Sequence, residues 1–429
     1  MHITGWSVAL AALGAIPAAI AQSRALAWGW VLGVVALALI DAWMAPRTAT
    51  VGVRRDAPGS VRLTQTTATS VTVANLGRRR LRGAVRDAWQ PSAGAAETRH
   101  AFALGPGETE TFRTRLRPTR RGDRHAGAVT VRTYGPLRLA GRQRSIEAPA
   151  RLRVLPEFAS RRHLPSRLQR LREIDGRTAV RLKGAGSEFD SLREYVIGDD
   201  VRAIDWRATA RRGEVEVRTF RPERDRRVLV ALDSARLSAA RVGDAPRLDA
   251  SIEAGLLLAA LASRAGDRVQ ATAFDRSERA RAAAPGPRIV AALADAIADV
   301  EPSLLEPDWP ALVRLVQSRL SQRSLVVLLT TVDTSAMDSG LIEAVAALQR
   351  RHQVLVGSVE DPELTAMLAA RDDVTALYGA GAAARALIER EAVATRLRRL
   401  GAEVVLAPPE ELAPAVCDRY LALKAAGRL

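Results

Sequence analysis

Cysteine is almost missing from this chain: Cys417 is the only one in 429 residues, so no internal disulfide can form, which suits a reducing compartment. Its simplest role is a small apolar side chain packed on the last helix. Lysine is nearly as scarce. Of 64 basic residues only Lys183 and Lys424 are lysines, and neither follows a glycine as a phosphate-loop lysine must, so the chain is not expected to hydrolyse ATP. The histidines His2, His100, His125, His163 and His352 are scattered with no His-Glu-x-x-His pair, and Gly-x-Ser-x-Gly is missing too. Aromatic residues make up 4%, and basic motifs interleaved with aromatics, helix-turn-helix and RNA-binding signatures are not found.

What is present is arginine and alanine, with a formal net charge of +17. Such a balance can attract nucleic acid or anionic lipid, but a GC-rich coding sequence produces the same enrichment. Composition therefore does not choose the partner. At 48% hydrophobic the chain is long enough for two or three domains with ordinary cores.

The N-terminus carries two uncharged stretches, Ile3 to Ala21 and Ala25 to Ile40. With flanks to Met44 each approaches the length of a bilayer span, and Gln22-Ser23-Arg24 joins them as a helical hairpin over 1–46. Trp6, Trp28, Trp30 and Trp43 fall near the span ends, where an indole keeps its ring at the interface. Asp41 lies in the last turn, where a carboxylate costs less than at mid-bilayer. The rival is a cleaved signal peptide ending at Ala19-Ile20-Ala21; against it stand a first segment without Lys or Arg and a second apolar span. One arginine in the turn against Arg47, Arg54, Arg55 and Arg62 after the second span places the large domains on the cytoplasmic side of the cell (inner) membrane, multi-pass.

Residues 47–155 alternate as strands do, at Val51/Val53, Val61/Leu63, Val71/Val73, Phe102/Leu104, Phe112/Thr114/Leu116 and Val129/Val131, separated by turns such as Gly105-Pro106-Gly107-Glu108. That grammar predicts a β-sandwich. Arg78-Arg79-Arg80 and the other arginines here read as a solvated face, or alternatively as one turned to lipid headgroups. Residues 156–225 form a linker with an amphipathic helix around Leu164 to Ile174. From 226 to 429, continuous apolar runs (Val228–Leu232, Val269–Phe274, Leu325–Leu329, Val354–Val359, Val404–Leu406) alternate with helical stretches (Asp249–Arg264, Ile289–Val300, Leu341–Arg350, Ala383–Leu400). Such alternation predicts a doubly wound α/β domain with a buried parallel sheet. Its ligand edge would present Asp233, Asp275, Thr330 and Glu360-Asp361.

Between these domains lies the densest motif of the chain: Gly184-Ala185-Gly186-Ser187-Glu188-Phe189, Leu192-Arg193-Glu194-Tyr195, then Gly198-Asp199-Asp200-Val201-Arg202-Ala203-Ile204-Asp205-Trp206-Arg207-Ala208-Thr209-Ala210-Arg211. It holds no recognisable nucleophile or phosphate loop. Asp199, Asp200 and Asp205 among Arg193, Arg202, Arg207 and Arg211 fit hydrogen-bonded ion pairs that fix a loop, with general acid/base work as the alternative. Trp206 and Tyr195 read as packed anchors, with a docking patch as the functional alternative.

This motif, followed by an apolar strand ending in Asp, resembles the bacterial "domain of unknown function 58" family over nearly the whole chain. The resemblance implies a multidomain protein: a membrane hairpin, an Ig-like sandwich, the signature, and a von Willebrand factor A-like domain. It further implies a non-catalytic, chaperone-like adaptor that binds proteins, with a MoxR-type AAA ATPase as partner supplying the nucleotide chemistry and client proteins left unnamed. The signature positions carried over as partner-binding are Gly186, Glu188, Phe189, Arg193, Tyr195, Gly198, Asp199, Asp200, Arg202, Asp205, Trp206, Ala210 and Arg211. In the metal-binding version of that fold an Asp-x-Ser-x-Ser loop holds Mg²⁺, whose octahedral oxygen geometry tolerates few losses. Here the loop is Asp233-Ser234-Ala235-Arg236-Leu237-Ser238. Ala235 and Leu237 occupy the serine positions, Ser234 and Ser238 are out of register, Arg236 adds a positive charge, and no Asp directly follows Leu325–Leu329. The expectation is a degenerate site (Asp233, Ser234, Ser238) without metal. Two rival functions remain: an arginine-rich surface for anionic lipid or nucleic acid, and a hydrolase using the Asp cluster.

Overall fold

A computed structural model describes residues 1–181, 188–197, 199–221, 226–370 and 372–429. The described chain divides into two compact units, Met1–Glu157 and Phe158–Leu429.

In the first unit, alternation places every second side chain on one face. One sheet runs in the order His2–Ile3, Ala140–Ile146, Val129–Tyr134, Leu81–Arg86, Arg99–Leu104; a second runs Val51–Asp56, Thr67–Asn75, Thr109–Leu116, Ala95–Ala96. Val51, Val71 and Val73 from the second meet Leu81, Val85, Phe102, Leu104, Val129 and Val131 from the first in one core. A small three-stranded sheet of Ser60–Arg62, Arg151–Leu155 and Gly122–His125 adds Leu152 and Val154 to a satellite cluster with Leu116. Arg78, Arg79 and Arg80 are solvated. Arg55 is an exception to the solvated face: its guanidinium is buried, donates to Asp87 at 2.6 Å and lies 5.7 Å from the centre of the Trp89 ring.

The apolar N-terminus belongs to this unit. Arg24–Met44 is a continuous helix of 21 residues, about 31 Å at 1.5 Å per residue, long and apolar enough to cross a bilayer. The first stretch departs from expectation. It forms Gly5–Leu13 and Ala15–Ile20, shorter than a full span. The break falls at Gly14, where the preceding Leu13 carbonyl has no amide to accept because Pro17, four residues on, carries no amide hydrogen. The two apolar segments still pack together, with the Trp30 indole donating to the Leu10 carbonyl at 2.9 Å. Their sandwich end is fastened. His2–Ile3 pairs antiparallel with Ala140 and Gly141, and Asp41 accepts the amides of Leu137, Leu139 and Ala140 at 2.8, 2.8 and 3.0 Å.

The second unit is built on a sheet of six strands among the described residues: β1 Arg227–Asp233, β2 Arg268–Phe274, β3 Glu278–Ala283, β4 Leu325–Leu329, β5 Gln353–Val359 and β6 Glu403–Ala407, in the spatial order β3-β2-β1-β4-β5-β6. All neighbours are parallel except β3, which returns antiparallel on β2. Strand residues divide by parity. Val228, Val230, Leu232, Val327 and Leu355 face the helices Arg247–Arg264, Arg288–Ala296 and Pro409–Ala425; Leu229, Ala231, Val326, Leu328 and Val356 face Trp309–Arg319, Leu341–Gln349 and Val374–Arg399. Both faces are covered, which is why the strands read as unbroken apolar runs. Cys417 is fully buried on one face, and burial pushes its thiol up from the ordinary range.

Candidate functional site

The chain leaves β1 toward β2 on one side and resumes at β4 on the other, so the carboxyl ends of β1 and β4 mark the switch point where doubly wound sheets bind ligands. Asp233 ends β1 there, and the Thr330 hydroxyl beyond β4 donates to it at 2.5 Å. The other carboxylate oxygen accepts the Ala235 amide at 2.8 Å. Beside it lies a cavity of about 10 Å³ lined by Leu232, Phe274, Trp309 and Leu328 among others, with room for a water molecule at most. Burial, reinforced by the nearby charges of Asp275 and Glu306, outweighs these hydrogen bonds and raises the Asp233 carboxyl from 3.8 to about 6.

The residues around Asp233 do not fit a magnesium site. Ala235 and Leu237 bring no oxygen side chains, and the carboxylates nearby are engaged by protein donors. Asp275 accepts the amides of Arg276 and Ser277 and the Arg279 guanidinium. Glu306 pairs with Arg236 at 2.6 Å, so that arginine is turned into an ion pair on the surface. Ser238 is buried, with its amide on the Ala235 carbonyl. The Ser234 hydroxyl is buried without a hydrogen-bond partner among the described residues, and its carbonyl accepts the Ser303 amide at 2.7 Å. Among the described residues no group of three or more His, Cys, Asp or Glu side chains could hold a metal ion. Glu360 leads away from the switch point to Arg390, 3.2 Å distant, and Asp361 caps the helix Pro362–Ala369.

The signature motif lies elsewhere in the second unit. Glu188–Glu194 pairs antiparallel with Glu216–Arg221, which places Glu188 and Phe189 on the first strand of a hairpin. Gly186 and Gly198 lie outside the described residues. The chain between the strands folds into a 3₁₀ turn, Val201–Ala203, and a short helix, Trp206–Arg212. Its acids are structural donors' partners. Asp205 caps the helix, accepting the amides of Arg207 and Ala208 at 3.0 Å and Arg218 Nε at 2.8 Å; the Ala208 amide and then Arg218 hold its carboxyl below the usual range. Asp199 takes Arg193 at 2.6 Å and the Val196 amide at 3.0 Å. Asp200 accepts the Arg202 amide at 2.9 Å. Thr209 ties the helix to the second strand, accepting the Glu216 amide at 3.1 Å. Ala210 and Arg211 fall in the helix, which closes on Gly213 at φ 81°.

These bonds match the expectation of a fixed loop, with one change of partner: Arg218, from the second strand, pairs with Asp205, whereas Arg202, Arg207 and Arg211 form no ion pair among the described residues. Trp206 corrects the expectation of a packed anchor. The first residue after the cap, it is 69% exposed, whereas Tyr195 is half-buried with its amide on the Val215 carbonyl. Ile197 is 96% exposed, and Val196 and Val201 are exposed as well. The sequence reading passed over these three aliphatics. Their signal was apolar residues inside a segment of aspartates and turn glycine, where solvation alone would favour polar ones.

No curated protein matches the chain. Among solved structures, the CARDB domain of the PF1109 protein from Pyrococcus furiosus, a crystal structure in complex with di-metal ions, aligns with 24% of this chain and 91% of its own at 18% identity and a TM-score of 0.19; its solution structure gives 24%, 94%, 18% and 0.19. A β-glucosidase from Listeria innocua aligns with 24% of this chain and 16% of its own at 14% identity and a TM-score of 0.18. Likeness at that level carries no argument about fold or function. The sequence comparison is more informative: residues 191–399, from within the first strand of the signature hairpin to the end of the helix Val374–Arg399, match the family described as Protein of unknown function DUF58.

Proposed function

We propose that this chain is a membrane-tethered, protein-binding adaptor whose docking patch is the signature hairpin. The observation that carries the proposal is the contrast within the hairpin: its acids and arginines are spent on holding a turn and a capped helix, while Trp206, Ile197, Val196 and Val201 stand in solvent. An exposed Trp on a fixed frame is the usual composition of an interface hot spot. On this reading the apolar N-terminal pair holds the protein in the cell (inner) membrane as a hairpin, with the Ig-like sandwich and the α/β domain facing the cytoplasm. The strand order β3-β2-β1-β4-β5-β6 with an antiparallel β3 supports a von Willebrand factor A-like domain. The partner implied by the family resemblance is a MoxR-type AAA ATPase that assembles or matures client proteins. The chain itself would carry out no bond-making.

The test is co-purification of the detergent-solubilised full chain with such an ATPase. Trp206→Ala with Ile197→Ser should reduce recovery of the ATPase at least several-fold and leave the melting temperature unchanged, since neither side chain is packed. Undiminished recovery would remove the hairpin from the interface.

A further inference from the structure

We propose that the turn Gly135–Leu139, together with Arg47, Arg138 and Arg142, forms a contact surface for the headgroups of anionic phospholipid. The inference rests on the membrane-tether reading and adds a lipid preference to it. The starting observation is how the turn is held. Asp41, at the end of the long apolar helix, is fully buried, and its carboxylate takes three amides of the turn and the strand after it, those of Leu137, Leu139 and Ala140. From the other apolar segment, Thr4 donates through both its amide and its hydroxyl to the turn carbonyls of Leu139 and Arg138, and the Ser7 hydroxyl donates to Leu139. Gly135 completes the clasp: a Cβ there would lie 2.2 Å from Asp41 Oδ1. The turn is therefore built into the base of both apolar helices.

What the clasp leaves in solvent is apolar and cationic. Leu137 is 57% exposed and Trp43 79%, and Pro136, Arg138 and Arg47 are exposed as well. Arg142 donates to the carbonyls of Ala42 and Trp43 at 3.2 Å, which holds its guanidinium at the helix end. The segments that carry these arginines are poor in acids, and the one carboxylate among them, Asp41, is taken up by the turn amides. Asp41 is the only acidic residue between Met1 and Arg55, and none occurs between Arg124 and Ile146. An exposed leucine and tryptophan with exposed arginines in the same acid-poor segments, at the end of a span-length helix, match the bilayer interface, where apolar groups reach the acyl boundary and guanidinium groups bind phosphate in forked pairs.

The experiment places a thiol-reactive environment-sensitive fluorophore at Leu137→Cys in the full chain; Cys417 is fully buried and does not compete. The protein is reconstituted into vesicles of phosphatidylcholine alone and into vesicles containing phosphatidylglycerol, each with a headgroup-attached quencher, and flotation records membrane insertion separately. Quenching should be several-fold stronger in the anionic vesicles, and should fall to the neutral level in high salt or in the Arg47→Gln, Arg138→Gln variant, which should still float. Equal quenching in both vesicles, or none in either while the protein floats, overturns the lipid surface and leaves the tether standing. The second pattern would be expected if a protein covers the turn. Failure to float with either vesicle removes the tether and this surface with it.

Discussion

Asp233 concentrates the chemistry of the α/β domain in one side chain. The folded protein keeps a proton on it up to about pH 6, whereas an unfolded aspartate releases one near 3.8. Between those values the folded state binds more protons, so its stability falls as pH rises and levels off above pH 6. The cost at pH 8 is up to about 3 kcal/mol. Asp233→Asn keeps an acceptor for the Ala235 amide and removes the ionisation. The variant should melt higher than the parent at pH 8, with the gap closing toward pH 4, as followed by thermal denaturation. A variant that melts lower at pH 8 would show that the charged form is the one the site is built to hold. Residue type alone did not reveal this environment. The sequence contained the substitutions Ala235 and Leu237, but the wall of Phe274, Trp309 and Leu328 that strips water from the carboxylate is assembled from three separate elements.

At the scale of elements, the signature hairpin depends on local hydrogen bonding more than on core. Asp205 stabilises its helix through the first-turn amides, and Asp205→Ala should speed amide exchange across residues 206–212 about fivefold. The melting of the whole second unit should stay the same, because its sheet core draws nothing from this helix. Exchange mass spectrometry separates the two effects, and loss of the global transition would show the hairpin to be part of the core. The same scale shows where sequence patterns run out. β1, β2, β4 and β5 were legible because burial on both faces makes their runs continuous. β3, Glu278-Arg279-Ala280-Arg281-Ala282-Ala283, was not: an edge strand buries little, and only Ala282 is fully enclosed. The helix Val374–Arg399 begins nine residues before the stretch expected, under a cap in which Asp373 accepts the Ala376 amide at 2.7 Å. Gly379 and Gly381 had hidden its periodicity.

For the whole molecule, each unit has its own buried core. If the N-terminal helices are the tether, a chain beginning at Phe158 should be monodisperse in buffer without detergent and keep a cooperative melt, whereas the full chain should partition into detergent micelles. Size-exclusion chromatography of the two chains checks this, and a full chain that remains dispersed without detergent would count against the membrane reading. The single-span length of Arg24–Met44 was plain from composition, but the shortened partner before it was decided by Pro17 and by the strand His2–Ile3, which draws the first residues into the sandwich sheet.

Sequence by itself determined the order of the chain: an apolar start, alternating strands, the aspartate- and arginine-rich motif, and apolar runs separated by helices, since each follows from periodicity and turn chemistry within a few residues of neighbours. Tertiary structure alone decided what those pieces face. It turned Trp206 outward, drew Arg55 onto Asp87, set Asp41 beneath a turn nearly a hundred residues away and walled Asp233 from water. Burial and partner choice are properties of contacts between segments distant in sequence, and local pattern does not encode which of two chemically suitable partners will arrive.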